Sequence, residues 1–210
     1  MTNLKIILEV ILAYLIGSIP SAVWVGKIFY KIDVREHGSG NAGATNVIRV
    51  LGYKAGIPVL LFDVFKGWFA VQLIRIIPLS LLSPETTTYV MIALAIAVFL
   101  GHVFPVFAGF KGGKGVGTLA GVGIALFPIP LLIVLGIFIL VLVFTRFVSL
   151  SSLIGGLSFP FIVVFLCGET NPGLISLSTL VAVFIPLTHI KNIRRLMKGE
   201  ENKFQFRRSR

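Results

Sequence analysis

The stretch that decides the fold is VGTLAGVGIALFPIPLLIVLGIFILVLVF, residues 116–144, which contains no charged side chain. As one α-helix it would be about 43 Å long at about 1.5 Å per residue, whereas the hydrocarbon core of a bilayer is about 30 Å thick. Two full-length spans would need more residues than it contains. Pro128 and Pro130 lie inside the stretch, and prolines within a helical run favour a break. One steeply tilted span or two short spans are both compatible with its length.

The positive charges of the loops decide between these alternatives. The other apolar runs cover residues 4–29, 55–76, 87–107, 147–166 and 174–187. With two short helices there are seven spans, and the lysines and arginines collect in residues 30–54, 108–115, 145–152 and the tail from His189, all on the inner side. With one long helix, the eight basic residues of the tail would move outside. The sequence therefore predicts an all-α, polytopic integral membrane protein with seven transmembrane helices, two of them short, with the N-terminus outside and the C-terminus cytoplasmic.

The composition supports this membrane class. Hydrophobic residues make up 56% of the 210 residues and charged residues only 13%, with a mean hydropathy of +0.99. A soluble domain has about 45–50% apolar and about 25% charged residues. We expect a single membrane-embedded domain over residues 1–210, with a basic cytoplasmic tail over residues 189–210 that includes the last motif. The positive charges behind the net charge of +11 can set the membrane topology, attract anionic lipid headgroups or bind an anionic substrate, and we expect no nucleic-acid partner.

The first of four polar clusters is HGSGNAGATN, residues 37–46, followed by Arg49. It contains the pattern G-x-G-x-x-G, but a membrane helix precedes it where a dinucleotide-binding fold needs a strand. Glycine-rich backbone still exposes N–H groups that bind oxyanions, and Arg49 can hold a phosphate through two hydrogen bonds. The cluster therefore predicts phosphate binding. A flexible loop with a topology-setting arginine is the alternative.

The second cluster combines GHVFPVF, residues 101–107, with KGGKGVGT, residues 111–118. It is not a Walker A motif, because neither Lys111 nor Lys114 is followed by Ser or Thr. Two lysines among glycines before an apolar helix suit a phosphate at a helix N-terminus, where backbone N–H groups favour anions. A basic reverse turn is the alternative, and His102 by itself is more typical of an interfacial histidine than of a catalyst.

Two further clusters lie nearer the C-terminus. RFVSLSS, residues 146–152, has three serines at the start of a span, where serines as often bond within the helix as line a site. In THIKNIRRL, residues 188–196, His189, Asn192 and Arg195 would share one face if the last span continues as a helix. A basic flank of the span is the alternative. DVFKG, residues 63–67, brings an aspartate and a lysine close enough to pair, and we expect this pair to support the structure.

The absence of other motifs narrows the chemistry. No histidine is followed by aspartate at the H-x₄-D spacing of the common acyl-CoA acyltransferases. Asp33 and Asp63 are the only aspartates, too few for a multi-aspartate, two-metal site, and G-x-S-x-G is missing. Cys167 is the only cysteine, so no thiolate metal cluster or intrachain disulfide can form. We expect no metal and no cofactor.

Taken together, the clusters resemble the acyl-phosphate:glycerol-3-phosphate acyltransferase family (PlsY). The stretches that carry the resemblance are GSGNAGATNVIRVLG, DVFKG, GHVFPVFAGFKGGKGVGT, RFVSLSS and HIKNIRRLMKGEE, in the family's order and across nearly the whole chain. The family is described as seven-helix, with an outside N-terminus and cytoplasmic motifs, in agreement with the charge argument. Lys191 stands where the family pattern leads us to expect an acidic residue, and the tail after Glu201 is long and basic.

The resemblance implies transfer of a fatty acyl group from acyl phosphate to the 1-hydroxyl of sn-glycerol 3-phosphate, giving lysophosphatidate and phosphate, early in phospholipid synthesis. It implies phosphate binding by Gly40, Asn41, Thr45, Arg49, Lys111, Gly112, Gly113, Lys114 and Gly115, and an acceptor pocket lined by Ser149, Ser151 and Ser152. It also implies catalytic roles for His189, Asn192 and Ser39, with Ser39 also contacting phosphate, and a structural role for Glu201. The partners would be the two substrates and membrane lipid, with no obligate protein partner, in the bacterial plasma (inner) membrane with the active site facing the cytoplasm.

An acyl phosphate is already activated, so the sequence favours direct attack without a covalent enzyme intermediate. An electropositive pocket would stabilise the departing phosphate, and either His189 or the donor's own phosphate would take the hydroxyl proton. The alternative function is a transporter or channel for a phosphorylated anion. Transport predicts ionisable residues at mid-depth and often inverted repeats, whereas the polar residues here collect on one face and no repeat is evident.

Overall fold

Helices form the regular structure of this chain in a computed structural model that describes residues 2–76 and 82–205. Within those ranges there are ten α-helices and no strand. They are α1 (Thr2–Gly17), α2 (Ser21–Tyr30), α3 (Ala44–Leu51), α4 (Tyr53–Gln72), α5 (Pro84–Val103), α6 (Val116–Leu126), α7 (Pro128–Thr145), α8 (Val148–Phe161), α9 (Pro172–Thr188) and α10 (Ile190–Met197). Short 3₁₀ turns cover Val34–Glu36, Leu73–Ile76 and Val106–Ala108, and a π-helical turn, Ile162–Leu166, follows α8.

The long uncharged stretch is broken where its prolines predicted. Helix α6 ends at Leu126 and α7 begins at Pro128, whose missing N–H costs nothing in the first turn of a helix. The same boundary divides the chain into two compact units, Met1–Leu126 and Phe127–Arg210. The organisation as a single domain stays a prediction. Arg207, Arg208 and Arg210 of the predicted basic tail lie outside the described residues.

Membrane-length apolar helices confirm the all-α membrane class. Within the described residues, four helical segments are long and apolar enough to cross a bilayer: Tyr53–Ile76, Pro84–Ala108, Pro128–Thr145 and Val148–Leu166. The number rises to six if two bent pairs, Asn3–Gly17 with Ser21–Tyr30 and Pro172–Thr188 with Ile190–Met197, each form one span. Helix α6 would extend only about 16 Å, too short to cross a core of about 30 Å by itself. The count of seven spans and the outside N-terminus therefore stay predictions.

The first apolar run is not the continuous segment that the sequence suggested. Helix α1 ends at Gly17 and α2 begins at Ser21, with their axes bent by 42°. Pro20 explains the break, because it cannot donate a backbone hydrogen bond to the preceding turn. The break creates non-helical backbone within an apolar segment, where polar side chains of neighbouring helices can satisfy its carbonyl groups.

Helix α4 is the centre of the first unit and packs against α1, α2, α3, α5 and α6. Its contact with α6 is close, because a Cβ atom added at Gly121 would collide with the carbonyl group of Val64. Small residues allow helices to approach in this way inside a membrane. A buried apolar cluster joins α2, α3 and α4 beneath residues 37–43, the first glycine-rich segment. It consists of Ala22, Val34, Val47, Ala55 and Val59.

In the second unit, α8 packs between its sequence neighbours and contacts both α7 and α9. Phe127 and Phe159 meet edge to face with ring centroids 5.1 Å apart, which fixes the start of α7 against α8. Much of the outer surface of α7 is apolar and exposed, with Phe144 82% accessible. Such a surface suits contact with lipid hydrocarbon.

Candidate functional site

Asn46 organises the first glycine-rich segment, residues 37–43. Its side chain is 1% exposed, and its Oδ1 accepts hydrogen bonds from the backbone N–H and the hydroxyl of Ser39, at 2.8 and 3.1 Å. Its Nδ2 donates to the carbonyl oxygens of Val34 and His37, at 2.7 and 3.1 Å. One buried amide therefore ties the start of the segment, and residue 34 before it, to α3. The sequence identified Asn46 only as one short polar group among several.

The predicted phosphate-binding residues of the first cluster lie in this segment and in α3, which follows it. Thr45 is in the first turn and Arg49 in the last, and the spacing of four residues places them on one helix face. Ser39, Asn41, Thr45 and Arg49 are half-buried, while Gly40 is exposed. The hydroxyl of Ser39 donates to Asn46, so its oxygen lone pairs are the part of it suited to contact a ligand donor.

The second glycine-rich segment, residues 111–115, folds back onto the end of α5. The N–H of Gly112 donates to the carbonyl of Val103 and that of Gly113 to the carbonyl of His102, both at 3.2 Å. A Cβ atom at Gly113 would collide with the His102 imidazole and lie 2.9 Å from the carbonyl oxygen of Ala42. Glycine at 113 therefore lets the two glycine-rich segments contact each other. Lys114 and Gly115 directly precede α6, which confirms the predicted position before a helix N-terminus.

An arginine that the sequence analysis did not select ties these two segments together. The Nε and Nη2 atoms of Arg35 donate to the carboxylate of Asp33 at 3.0 and 2.7 Å, and Nη1 donates to the carbonyl of Ala108 at 3.0 Å. The hydrogen bond from Arg35 is the main reason that the pKa of Asp33 lies well below its usual range, with Lys27 adding a further contact at 3.2 Å. The pair is therefore ionised and holds the segment around residue 35 against residue 108. The D-x-R spacing was visible in the sequence, but its distant carbonyl partner was not.

Beneath the glycine-rich segments lies a buried ion pair. Lys66 Nζ and Asp63 Oδ1 are 3.0 Å apart, and their side chains are 2% and 4% exposed, so the predicted pairing is confirmed. Lys66 also donates to the carbonyl of Ile19 at the break between α1 and α2, and Ser21 donates to Asp63 at 2.8 Å. The pair therefore satisfies the backbone and side chains around that break.

In the second unit, Glu201 joins two of the predicted site residues. Its Oε1 accepts hydrogen bonds from the Ser149 hydroxyl at 3.0 Å and from Asn192 Nδ2 at 2.7 Å. Its Oε2 lies 3.5 Å from Arg195 Nε, and its side chain is 6% exposed. The segment after it packs on the α7–α8 turn, where the N–H of Phe204 donates to the carbonyl of Arg146. Glu201 therefore connects α8 with α10.

His189 does not continue a helix as the predicted shared face assumed. It lies between α9 and α10, which meet at a bend of 60°. The prediction of one continuous helical face is therefore wrong, although Asn192 and Arg195 still meet at Glu201. The His189 side chain is 2% exposed, and its Nδ1 lies 2.8 Å from the carbonyl of Ile185. A carbonyl only accepts hydrogen bonds, so Nδ1 carries a proton and Nε2 is the acceptor nitrogen of the neutral ring.

The three serines of α8 divide into two kinds. Ser151 and Ser152 donate to the carbonyls of Phe147 and Val148, both at 2.9 Å, which is the within-helix alternative that the sequence left open. Ser149 instead reaches Glu201. All three are buried, and their role in an acceptor pocket stays a prediction.

In the described part of the chain, no group of three or more His, Cys, Asp or Glu side chains is arranged to hold a metal ion. The cationic and amide groups described above are suited instead to bind anions and to polarise them.

Comparisons with known proteins agree on one family. The family model described as glycerol-3-phosphate acyltransferase matches residues 7–199. The glycerol-3-phosphate acyltransferase of Fusobacterium nucleatum subsp. nucleatum is 45% identical over 198 residues, which cover 94% of this chain and 97% of that protein. Glycerol-3-phosphate acyltransferase 2 of Bacillus anthracis is 46% identical over 198 residues, covering 94% and 98%.

Solved structures give the same result at the level of the fold. The crystal structure of PlsY, an integral membrane glycerol 3-phosphate acyltransferase, in its glycerol 3-phosphate form is 34% identical and superposes with a TM-score of 0.82, covering 95% of this chain and 96% of that one. The lysophosphatidic acid form gives a TM-score of 0.80, with 95% of each chain covered. The match over residues 7–199, together with relatives above 40% identity along nearly their whole length, shows that this chain belongs to the glycerol-3-phosphate acyltransferase family.

Proposed function

We propose that this membrane acyltransferase uses acyl phosphate as its donor and acylates the 1-hydroxyl of glycerol 3-phosphate at the cytoplasmic face of a bacterial plasma membrane. Acyl transfer to glycerol 3-phosphate is the activity of its family, and glycerol 3-phosphate and lysophosphatidic acid are the ligands named for the PlsY crystal structures. The donor, the sidedness and the residue roles are our inference.

The observation that carries the proposal is the pair of glycine-rich segments held in contact within the first unit. Gly113 packs against Ala42, and Arg35 links the first segment to Ala108. Both segments lead into helix N-termini, where backbone N–H groups attract anions. Arg49, Lys111 and Lys114 add positive charge to this region. Two phosphorylated substrates, glycerol 3-phosphate and an acyl phosphate, need such an electropositive surface.

We assign phosphate binding to the residues predicted from the sequence. In the first segment they are Ser39, Gly40, Asn41, Thr45 and Arg49, and in the second Lys111, Gly112, Gly113, Lys114 and Gly115. Arg49, Lys111 and Lys114 bind through charged side chains, which contribute about 1.5–3 kcal/mol for each hydrogen bond, and Asn41, Thr45 and Gly115 add neutral donors. Ser39, Gly40, Gly112 and Gly113 instead shape the two segments around the phosphate, because their N–H groups already donate within the protein. Asn46 and Arg35 hold these groups in place and do not themselves contact the phosphate.

The chemical step is a direct displacement. The 1-hydroxyl oxygen of glycerol 3-phosphate attacks the acyl carbonyl carbon, the carbon–oxygen bond to phosphate breaks, and phosphate leaves while the new ester forms. The hydroxyl proton goes to His189 Nε2 or to an oxygen of the departing phosphate, so no covalent enzyme intermediate is needed. The hydrogen bond from His189 Nδ1 to Ile185 favours the tautomer with Nε2 as acceptor. Asn192, held by Glu201, orients the reacting groups.

The test is acyl transfer by the purified protein in lipid, with glycerol 3-phosphate and one of three donors: acyl phosphate, acyl-CoA or acyl carrier protein charged with the acyl group. We expect lysophosphatidate and free phosphate in equal amounts with acyl phosphate alone. Product formed only from a thioester donor would overturn the donor assignment. Inactivity with all three donors in folded protein would instead favour flux assays for a phosphorylated anion.

Two variants and a matched control locate the activity. Arg49→Gln is expected to lower kcat/KM by about ten- to a hundredfold, the typical loss when a charged substrate contact is removed, and His189→Ala by at least about a hundredfold, as when a general base is removed. Lys54→Gln removes the same charge from an exposed position next to α3 and is expected to leave activity within about twofold, as for a solvated surface charge. Equal losses in Arg49→Gln and Lys54→Gln would mean that only the overall positive potential matters.

A further inference from the structure

A small cavity lies beneath the two glycine-rich segments of the first unit. Ala42, Gly112 and Gly113 line it on the side of these segments, and Ser21, Lys66 and His102 line it from the helices. It has room for about one water-sized group, about 10 Å³. The polar groups of three helices therefore meet at the underside of the segments that we assign to phosphate binding.

Lys66 brings a positive charge to this cavity, and its ion-pair partner Asp63 lies next to it. Their 3.0 Å ion pair is almost fully buried, and breaking a buried pair by removing one partner leaves the other charge uncompensated. Lys66 also donates to the carbonyl of Ile19, and Asp63 accepts from Ser21. The pair is thus fixed from both sides, with Lys66 lining the cavity and Asp63 one turn away on α4.

His102 connects this ion pair to the second glycine-rich segment. Its carbonyl oxygen accepts the N–H of Gly113, and its ring packs directly under the Cα atom of Gly113. Its Nδ1 is buried, lies 3.7 Å from Asp63 Oδ1 and has no hydrogen-bond partner among the described residues. That distance is too long for a direct hydrogen bond but suits an electrostatic contact, or a water in the adjoining cavity.

We propose that Lys66, Asp63 and His102 are positioning residues that set the place of the Gly112–Gly113 backbone, and that the charge balance of the buried pair tunes how strongly the surrounding segment, residues 111–115, binds phosphate. This inference rests on the proposed phosphate-binding role of the segment. It assigns a functional consequence to a pair that the sequence suggested only as structural support.

The two charges predict opposite electrostatic effects on anion binding. Lys66→Met leaves the Asp63 carboxylate without its ammonium partner beneath the segment, so its negative charge repels phosphate. Asp63→Asn leaves the ammonium, which attracts phosphate while the anchoring of the segment is weakened. The double variant Asp63→Asn/Lys66→Met removes both charges and restores neutrality. A purely structural role would not make Lys66→Met more damaging to phosphate binding than Asp63→Asn, nor the double variant less damaging than Lys66→Met.

The experiment measures glycerol 3-phosphate binding by calorimetry on full-length protein in lipid without donor, and KM and kcat with saturating donor. We expect Lys66→Met to weaken glycerol 3-phosphate binding by about tenfold or more, as when one charged contact to an anion is lost. We expect Asp63→Asn to weaken it less and the double variant to lie nearer to wild type than Lys66→Met. The value of kcat is expected to stay within about twofold throughout, because the reacting groups are not touched.

Leu94→Ala is the matched structural control. Leu94 is fully buried on α5 of the same unit, away from the polar cluster, and its truncation costs about 2–5 kcal/mol of packing. We expect a lower unfolding temperature and unchanged affinity for glycerol 3-phosphate. Equal losses of affinity in Lys66→Met, Asp63→Asn and Leu94→Ala at equal losses of stability would overturn the proposal.

His102→Gln keeps the inference testable if Lys66→Met does not fold. It removes the ring beneath Gly113 without burying an unpaired charge, and we expect a raised KM for glycerol 3-phosphate with kcat retained. An unchanged KM in this variant would also overturn the proposal. Failure of the donor assignment is distinguishable, because calorimetric binding of glycerol 3-phosphate does not depend on which donor is used.

Discussion

Replacing Glu201 tests how the second unit holds its candidate catalytic groups. In Glu201→Ala, the Ser149 hydroxyl and the Asn192 amide lose their shared acceptor while both remain buried. In Glu201→Gln, a carbonyl oxygen can still accept both hydrogen bonds, but without the negative charge. The two variants therefore separate the loss of an acceptor from the loss of a charge.

The magnitudes follow from the contacts. A buried donor left without a partner costs about 1–3 kcal/mol. Because two donors lose their acceptor, Glu201→Ala is expected to lower the free energy of unfolding by about 2–6 kcal/mol. Glu201→Gln exchanges two charged hydrogen bonds for neutral ones, a difference of about 1 kcal/mol each. The longer, more exposed contact with Arg195 adds about 0–1 kcal/mol. A loss of about 2 kcal/mol in the transition state alone would lower the rate about thirtyfold.

The assay pairs thermal unfolding in lipid or detergent with kcat and KM at saturating donor. We expect the order wild type, Glu201→Gln, Glu201→Ala in both stability and kcat, and a coupling energy of about 0.5–3 kcal/mol between Glu201→Ala and Ser149→Ala in a double-mutant cycle. The reasoning is refuted if Glu201→Ala keeps wild-type stability and kcat, or if Glu201→Gln is as damaging as Glu201→Ala.

Three further predictions concern the first unit and the topology. Asn46→Ala is expected to lower the free energy of unfolding by about 2–5 kcal/mol, because the buried groups that hydrogen-bond to the amide lose their partner. The apparent unfolding temperature measures this loss, and an unchanged temperature would contradict the role of Asn46. Arg35→Gln is expected to let the pKa of Asp33 rise towards its ordinary value of about 3.9. Because a lowered carboxyl pKa stabilises the fold above the unfolded-state pKa and that stability is lost in acid, the wild type should lose stability more steeply than Arg35→Gln as the pH falls below about 4, as pH-dependent unfolding would show. The exposed Cys167 is expected to react with a membrane-impermeant maleimide added outside cells, whereas Lys31→Cys in a Cys167→Ala background should react only after permeabilisation. Labelling of both cysteines from the same side would overturn the seven-span topology, and the reverse pattern would overturn its orientation.

The features that depend on local composition could be predicted from the sequence. The membrane class follows from apolar runs that only lipid can solvate, and the break before Pro128 follows from the chemistry of proline. The pairing of Asp63 with Lys66 follows from a spacing of three residues on a helix. Pro20 carried the same signal as Pro128, but residues 4–29 were kept as one apolar run in the sequence analysis.

The hydrogen bonds that build the candidate site depend on groups that are distant in sequence. Nothing near Arg35 indicates that its third contact is the carbonyl of Ala108, and nothing near Asn192 indicates that Glu201 turns back to hold it. The straight helical face predicted through His189 failed because the backbone of His189 leaves the α-helical conformation, and α9 and α10 meet there at a bend of 60°.

The sequence by itself thus determined which solvent the chain needs, where its helices can lie and which residue types can bind phosphate, because these depend on local composition and on the chemistry of single side chains. Only the tertiary structure decided which of those groups touch: Asn46 beneath Ser39, Gly113 against Ala42, and Glu201 between α8 and α10. The physical reason is that a buried hydrogen bond between remote segments is set by how the helices pack, and residue order alone does not specify that packing.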